Sequence, residues 1–127
     1  MSNRDIMKAI KANKQRRHSM TYQENYQKWL DFADLPDYLR QDLENMDEKT
    51  KEDAFYTNLE FGTAGMRGLI GAGTNRINIY VVRQATEGLA RLIESKGGNE
   101  KERGVAIAYD SRHFSPEFAF ESAAVLA

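Results

Sequence analysis

Gly104-Val105-Ala106-Ile107-Ala108-Tyr109-Asp110-Ser111-Arg112-His113 decides the fold class. Its first six residues form a short, nearly unbroken apolar run, the pattern of a strand buried on both faces. Upstream, Asn78 is placed to cap a helix in which Val82, Ala85, Leu89, Leu92 and Ile93 recur on one face, and Gly97-Gly98 supplies its stop. Downstream, Ser115-Pro116-Glu117 reads as a helix start: a capping hydroxyl, a proline in the first turn and an acid at the positive dipole end. Phe118, Ala119, Ser122, Ala123 and Leu126 carry that helical face onward. Helix, buried strand and helix in succession imply a mixed, mostly parallel sheet, so the class is α/β.

Open α/β sheets gather functional groups at the carboxyl ends of their strands, where Asp110 to His113 stand. Asp110, Ser111 and His113 include the residue types of a serine triad, but neighbours in one tight segment cannot adopt its through-space geometry. Ser111 also lacks the flanking glycines of a nucleophile elbow. As metal ligands, Asp110 and His113 would need further partners that the sequence does not point to. A turn fixed by hydrogen bonds and an ion pair between Asp110 and Arg112 is the better reading.

Further upstream, residues 61–73 read Phe-Gly-Thr-Ala-Gly-Met-Arg-Gly-Leu-Ile-Gly-Ala-Gly, placing five of the nine glycines in thirteen positions. Glycine tolerates positive φ and lets another group approach the backbone. Thr63 offers a hydroxyl, the backbone around it offers N–H groups, and Arg67 offers a planar fork of donors. These are the parts of an oxyanion cradle, most naturally for phosphate. A glycine-rich hairpin in which Arg67 merely pairs with a surface carboxylate accounts for the same composition equally well. The segment is neither a Walker loop nor a dinucleotide fingerprint.

Residues 20–58 read as helical. Thr21 and Glu24 have the spacing of a capping box, followed by an apolar stripe of Tyr22, Tyr26, Trp29, Leu30 and Ala33. Asp34-Leu35-Pro36 breaks it, and a second amphipathic stretch places Tyr38, Leu39, Leu43 and Met46 on one side. Residues 31–60 hold ten acidic and three basic side chains, without the spacing of a calcium loop, so they read as a solvated face. Residues 1–19 differ sharply: Arg4, Lys8, Lys11, Lys14, Arg16 and Arg17 stand against Asp5 alone, in a chain of net charge −1. This basic leader lacks the apolar core of a secretory signal. It reads as an extension of the folded chain or as a docking arm for nucleic acid or an acidic partner. The lack of aromatics for base stacking argues against nucleic acid.

Composition sets the outer bounds. The chain has 127 residues, 41% hydrophobic and 29% charged, the balance of one small globular domain. No run approaches the ~18 apolar residues of a membrane-spanning helix. The absence of cysteine excludes disulfide scaffolds, thiolate metal sites and cysteine nucleophiles, and it fits a cytoplasmic protein.

Two ordered motifs carry a resemblance. Phe61-Gly62-Thr63-Ala64-Gly65-Met66-Arg67-Gly68 followed by Asn75-Arg76-Ile77-Asn78, and Ala108-Tyr109-Asp110-Ser111-Arg112 followed by Phe114-Ser115, resemble landmarks of the α-D-phosphohexomutase superfamily. The phosphoglucomutase branch, which includes phosphopentomutase-like enzymes, is the most similar. The resemblance covers residues 21–127. It implies that residues 59–127 are an incomplete first α/β domain of a four-domain enzyme, behind an added helical region at 20–58. It also implies a phosphoserine that exchanges phosphoryl groups with a hexose monophosphate through a bisphosphorylated sugar. Arg67 would orient the phosphoryl group, Gly62, Thr63, Ala64 and Gly65 would shape the substrate loop, and Asp110 and Arg112 would be structural. Mg2+ and glucose 1,6-bisphosphate would be the cofactor and activator, and a sugar phosphate the substrate. The family's serine loop, magnesium loop, sugar-recognition loop and last phosphate-binding loop are not in this sequence. The 127 residues are therefore expected to be an amino-terminal fragment, inactive alone, with no metal ligands of their own.

Overall fold

The computed structural model describes residues 20–127. The basic leader, and with it the docking-arm alternative and His18, lies outside the described residues. The described chain divides into two compact units, residues 20–81 and residues 82–127.

The first unit opens with three short helices. Helix α1 spans Tyr22–Leu30, and the Thr21 hydroxyl accepts a hydrogen bond from the Glu24 amide at 3.2 Å, the cap its spacing predicts. Helix α2 spans Asp37–Glu44 behind Pro36, whose fixed φ suits a helix entrance. Helix α3 spans Glu48–Phe55, capped by the Asp47 carboxylate on the Thr50 amide at 2.8 Å. It lies within the stretch expected to be helical, but its apolar content is confined to Ala54 and Phe55 at one end, too little for a periodic signal that would set its bounds.

Leu35, Leu39, Leu43, Ala54, Phe55 and Ala72 form the core, with Tyr22, Tyr26, Trp29 and Leu30 packed on it. Phe55 is fully buried, and Tyr26 and Trp29 both meet its ring nearly edge-on with centroids 5.7 Å away. Burying a side chain of that size stabilises by roughly 2–3 kcal/mol. Tyr38 and Ala33, expected on the apolar side, are exposed. The short helices present only narrow stripes to the core, and Leu39 and Leu43 fill that of α2.

Strand β1 (Phe61–Gly62) and strand β2 (Gly65–Met66) form an antiparallel hairpin, and Ile70 and Ile77 make an isolated parallel bridge. Helix α4 then runs over Ile79–Lys96. The Asn78 side-chain oxygen accepts from the amides of Tyr80 and Val81 at 3.1 and 3.0 Å, so Asn78 is its cap. Gly97 and Gly98, both at φ 65°, stop it.

In the second unit, helix α5 spans Ser115–Leu126, with Pro116 in its first turn. Arg83 of α4 pairs with Glu121 of α5 at 2.6 Å, and the Thr86 hydroxyl donates to that of Ser122 at 3.3 Å. Two expectations are corrected here. Residues 104–109 are exposed throughout and belong to no strand, with Val105, Ile107 and Tyr109 at 45%, 40% and 64% exposure. A strand exists only by pairing, and no described segment lies alongside to supply the ladder. Ser115 does not cap α5. The cap position is Phe114, at φ 65°, and the Ser115 hydroxyl instead accepts from the Asp110 amide at 3.2 Å.

Candidate functional site

Gly62, Thr63, Ala64 and Gly65 make the tip of the β1–β2 hairpin. Gly62 pairs with Gly65, and Thr63 and Ala64 are the exposed two-residue turn between them. Tight hairpins with L-residues in the turn commonly take up the strand twist at a following glycine. Gly65 does so at φ 98°. A Cβ there would meet nothing within 4 Å, so conformation rather than space demands the glycine. Gly68 permits a closer packing: a Cβ would lie 2.9 Å from the end of the Leu59 side chain.

Arg67 follows β2 directly and is exposed. Arg40, Arg76, Arg83, Arg91, Arg103 and Arg112 each bond a carboxylate or a carbonyl. Arg67 alone among the described arginines makes no hydrogen bond or ion pair with a described residue. Its fork of donors stands beside a glycine turn, open to an anion. The hairpin in which Arg67 pairs with a surface carboxylate is not what the structure shows.

The backbone behind Arg67 is tightly held. The Ile77 amide donates to Leu69 O at 2.8 Å, and the Gly71 amide donates to Ile77 O at 3.1 Å. The Asn78 side-chain amide, besides its role at α4, donates to both Gly71 O and Gly73 O at 2.9 Å. Asp42 of α2 accepts from the Ala72 amide at 2.7 Å, and Arg76 pairs with Asp53 of α3 at 2.7 Å. At Gly73, φ is 133° and a Cβ would sit 2.6 Å from Ala54 O, so only glycine fits. Sequence reading missed Asp42, Asp53 and the second role of Asn78. The sole local signal was the helix-cap position of Asn78.

In the second unit, Asp110 and Arg112 are brought together. The Asp110 carboxylate accepts from the Arg112 amide at 3.1 Å and from its Nε at 2.7 Å. The backbone bond from Arg112 does most to hold the Asp110 carboxyl below its ordinary range. Both side chains are exposed, so the pair locks a turn and contributes little to global stability. Among the described residues, no group of three or more His, Asp or Glu is placed to hold a metal ion, and no helix is long and apolar enough to cross a membrane.

The sequence that builds this arrangement has known counterparts. The family model for phosphoglucomutase/phosphomannomutase, alpha/beta/alpha domain I, matches residues 58–127, more than half of the chain. The chain belongs to the phosphoglucomutase/phosphomannomutase family. A phosphoglucomutase of Staphylococcus epidermidis is 35% identical over 99 residues, 78% of this chain and 17% of that protein. One of Staphylococcus aureus is 42% identical over 77 residues, 61% of this chain and 13% of that protein. A phosphopentomutase of Mus musculus is 43% identical over 58 residues, 46% of this chain and 9% of that protein. The chain thus spans less than a fifth of the length of these relatives. No solved structure gives a significant match. The phosphoglucomutase/phosphomannomutase match starts within the hairpin's approach and takes in the hairpin, Arg67, α4 and the Asp110–Arg112 turn.

Proposed function

We propose that this chain is the amino-terminal part of a phosphoglucomutase-type enzyme, interconverting glucose 1-phosphate and glucose 6-phosphate through a phosphoserine and a bisphosphorylated sugar. The observation that carries the reading is Arg67, exposed at the end of the glycine hairpin and without a partner among the described residues. Its two-pronged guanidinium orients the oxygens of the transferring phosphoryl group and offsets their charge. Gly62, Thr63, Ala64 and Gly65 shape the loop that admits those oxygens. Asp110 and Arg112 fix the turn that enters α5 and do not touch the substrate.

Residues 20–58 form a helical support and residues 59–127 the front of the first catalytic domain. Magnesium would supply positive charge in the transition state of the complete enzyme, and the family's magnesium loop that would hold it is not in this sequence. Glucose 1,6-bisphosphate serves as activator. The family's serine loop is not in this sequence, so the chain by itself supplies no phosphoryl carrier and does not turn over. The cysteine-free composition supports a cytoplasmic setting.

Arg67→Lys in the complete enzyme tests the reading, because it keeps the charge and removes the planar fork. Turnover with glucose 1-phosphate should fall by about 10- to 100-fold while the melting temperature is unchanged. Turnover within a factor of about two of the parent would remove Arg67 from the phosphoryl site.

A further inference from the structure

We propose that Asn78 and Asp42 are positioning residues for Arg67, and that helices α2 and α3, which lie ahead of the family-matched segment, act as its clamp. The proposal rests on the reading of Arg67 as the phosphate-orienting group. The bonds form a short physical chain. Arg67 lies two residues before Leu69, whose carbonyl accepts from the Ile77 amide, and Gly71, whose amide returns a bond to Ile77 O, closes that pairing.

Asn78, 3% exposed, grips the same ladder from below through Gly71 O and Gly73 O. All its polar capacity is committed, two donors to the loop and one oxygen to the first turn of α4. Asp42 pins the loop from α2 through the Ala72 amide, and a Cβ at Gly71 would lie 2.8 Å from the same carboxylate. The Asn75 amide bonds Ala54 O, and the buried Arg76 guanidinium reaches Asp53, both on α3. A loop with this many ties to two helices has one arrangement, and the segment paired with it inherits that arrangement. A guanidinium displaced by a fraction of an ångström loses bidentate alignment with a phosphoryl group, so remote ties of this kind have kinetic and binding consequences.

Three variants separate clamping from simple support of the fold. Asn78→Asp keeps the oxygen that caps α4 but turns carboxylate oxygens toward two carbonyls in place of the donating amide. Asp42→Ala removes the acceptor for Ala72, whereas Asp42→Asn retains an acceptor oxygen. The experiment records the backbone and Nε resonances of Arg67 by NMR in the full 127-residue chain and titrates it with inorganic phosphate, with Arg67→Ala as reference. Asn78→Asp and Asp42→Ala should shift both Arg67 resonances and weaken phosphate binding about tenfold, in spectra that otherwise remain those of the folded chain. Asp42→Asn should restore affinity to within about twofold. Should Asn78→Asp not fold, the Asp42 pair decides alone. Unmoved Arg67 resonances in Asp42→Ala would overturn the clamp. Resonances that move while Arg67→Ala binds phosphate as the parent does would uphold the clamp and overturn the phosphate reading.

Discussion

At the scale of single residues, two glycines that look alike in sequence do different jobs. Gly65 needs its positive φ but has open space around it, whereas Gly73 needs both its positive φ and the missing Cβ, with Ala54 O in the way. Gly65→Ala should therefore cost about 1 to 2 kcal/mol, the strain of a left-handed L-residue alone. Gly73→Ala should cost about 2 to 4 kcal/mol, because displacement of packed backbone is added to the same strain. Urea unfolding of the two variants against the parent checks the difference, and equal losses would refute the close approach at Gly73. The hairpin itself was legible in the sequence, since a dense glycine cluster beside a lone arginine is a local signal. The ties of Asp42 to Ala72 and of Arg76 to Asp53 were not. They join residues 30 and 23 positions apart, and nothing local distinguishes those two carboxylates from their many acidic neighbours.

Among the elements, the turn between residues 109 and 115 carries a clear pH dependence. The folded state holds the Asp110 carboxyl below its ordinary range, chiefly through the Arg112 amide. Its contribution is therefore complete above that range and is lost as the pH falls through the depressed folded value. In an acid titration followed by NMR, the Arg112 amide and Nε signals should shift together, at a pH lower than an unperturbed aspartate gives. A midpoint in the ordinary carboxylate range would show that the lock does not form in solution. Helices α1, α2 and α4 were legible because their apolar stripes are local, as are the caps of α1 and α4. Helix α3 falls inside the stretch expected to be helical, but its bounds were not legible, because it has one apolar end and a charged remainder. The apolar run at 104–109 read as a strand for a sound reason, but strandedness is a property of two segments and sequence shows only one.

For the molecule as a whole, the core of residues 20–81 converges on one ring. Phe55 closes the cluster of Leu35, Leu39, Leu43 and Ala54, and Tyr26 and Trp29 stand edge-on against it. Phe55→Ala should cost about 3 to 5 kcal/mol, a large part of the ~5–15 kcal/mol that holds a small domain together. Calorimetry should show the transition of this unit lowered or lost, and a change below about 1 kcal/mol would mean that the ring is not central to the core. The neighbour of that ring has a spectroscopic consequence. Trp29 is the single tryptophan of the chain, and it sits between Phe55 and Tyr80, edge-on to both. Indole emission from the chain is thus a local gauge of residues 20–81, silent on residues 82–127. Far-ultraviolet circular dichroism instead reports on both units, on α1 to α3 in one and on most of α4 with α5 in the other. Recorded on one sample, the two signals therefore coincide if the units melt together and part if residues 82–127 melt at another temperature, without a label.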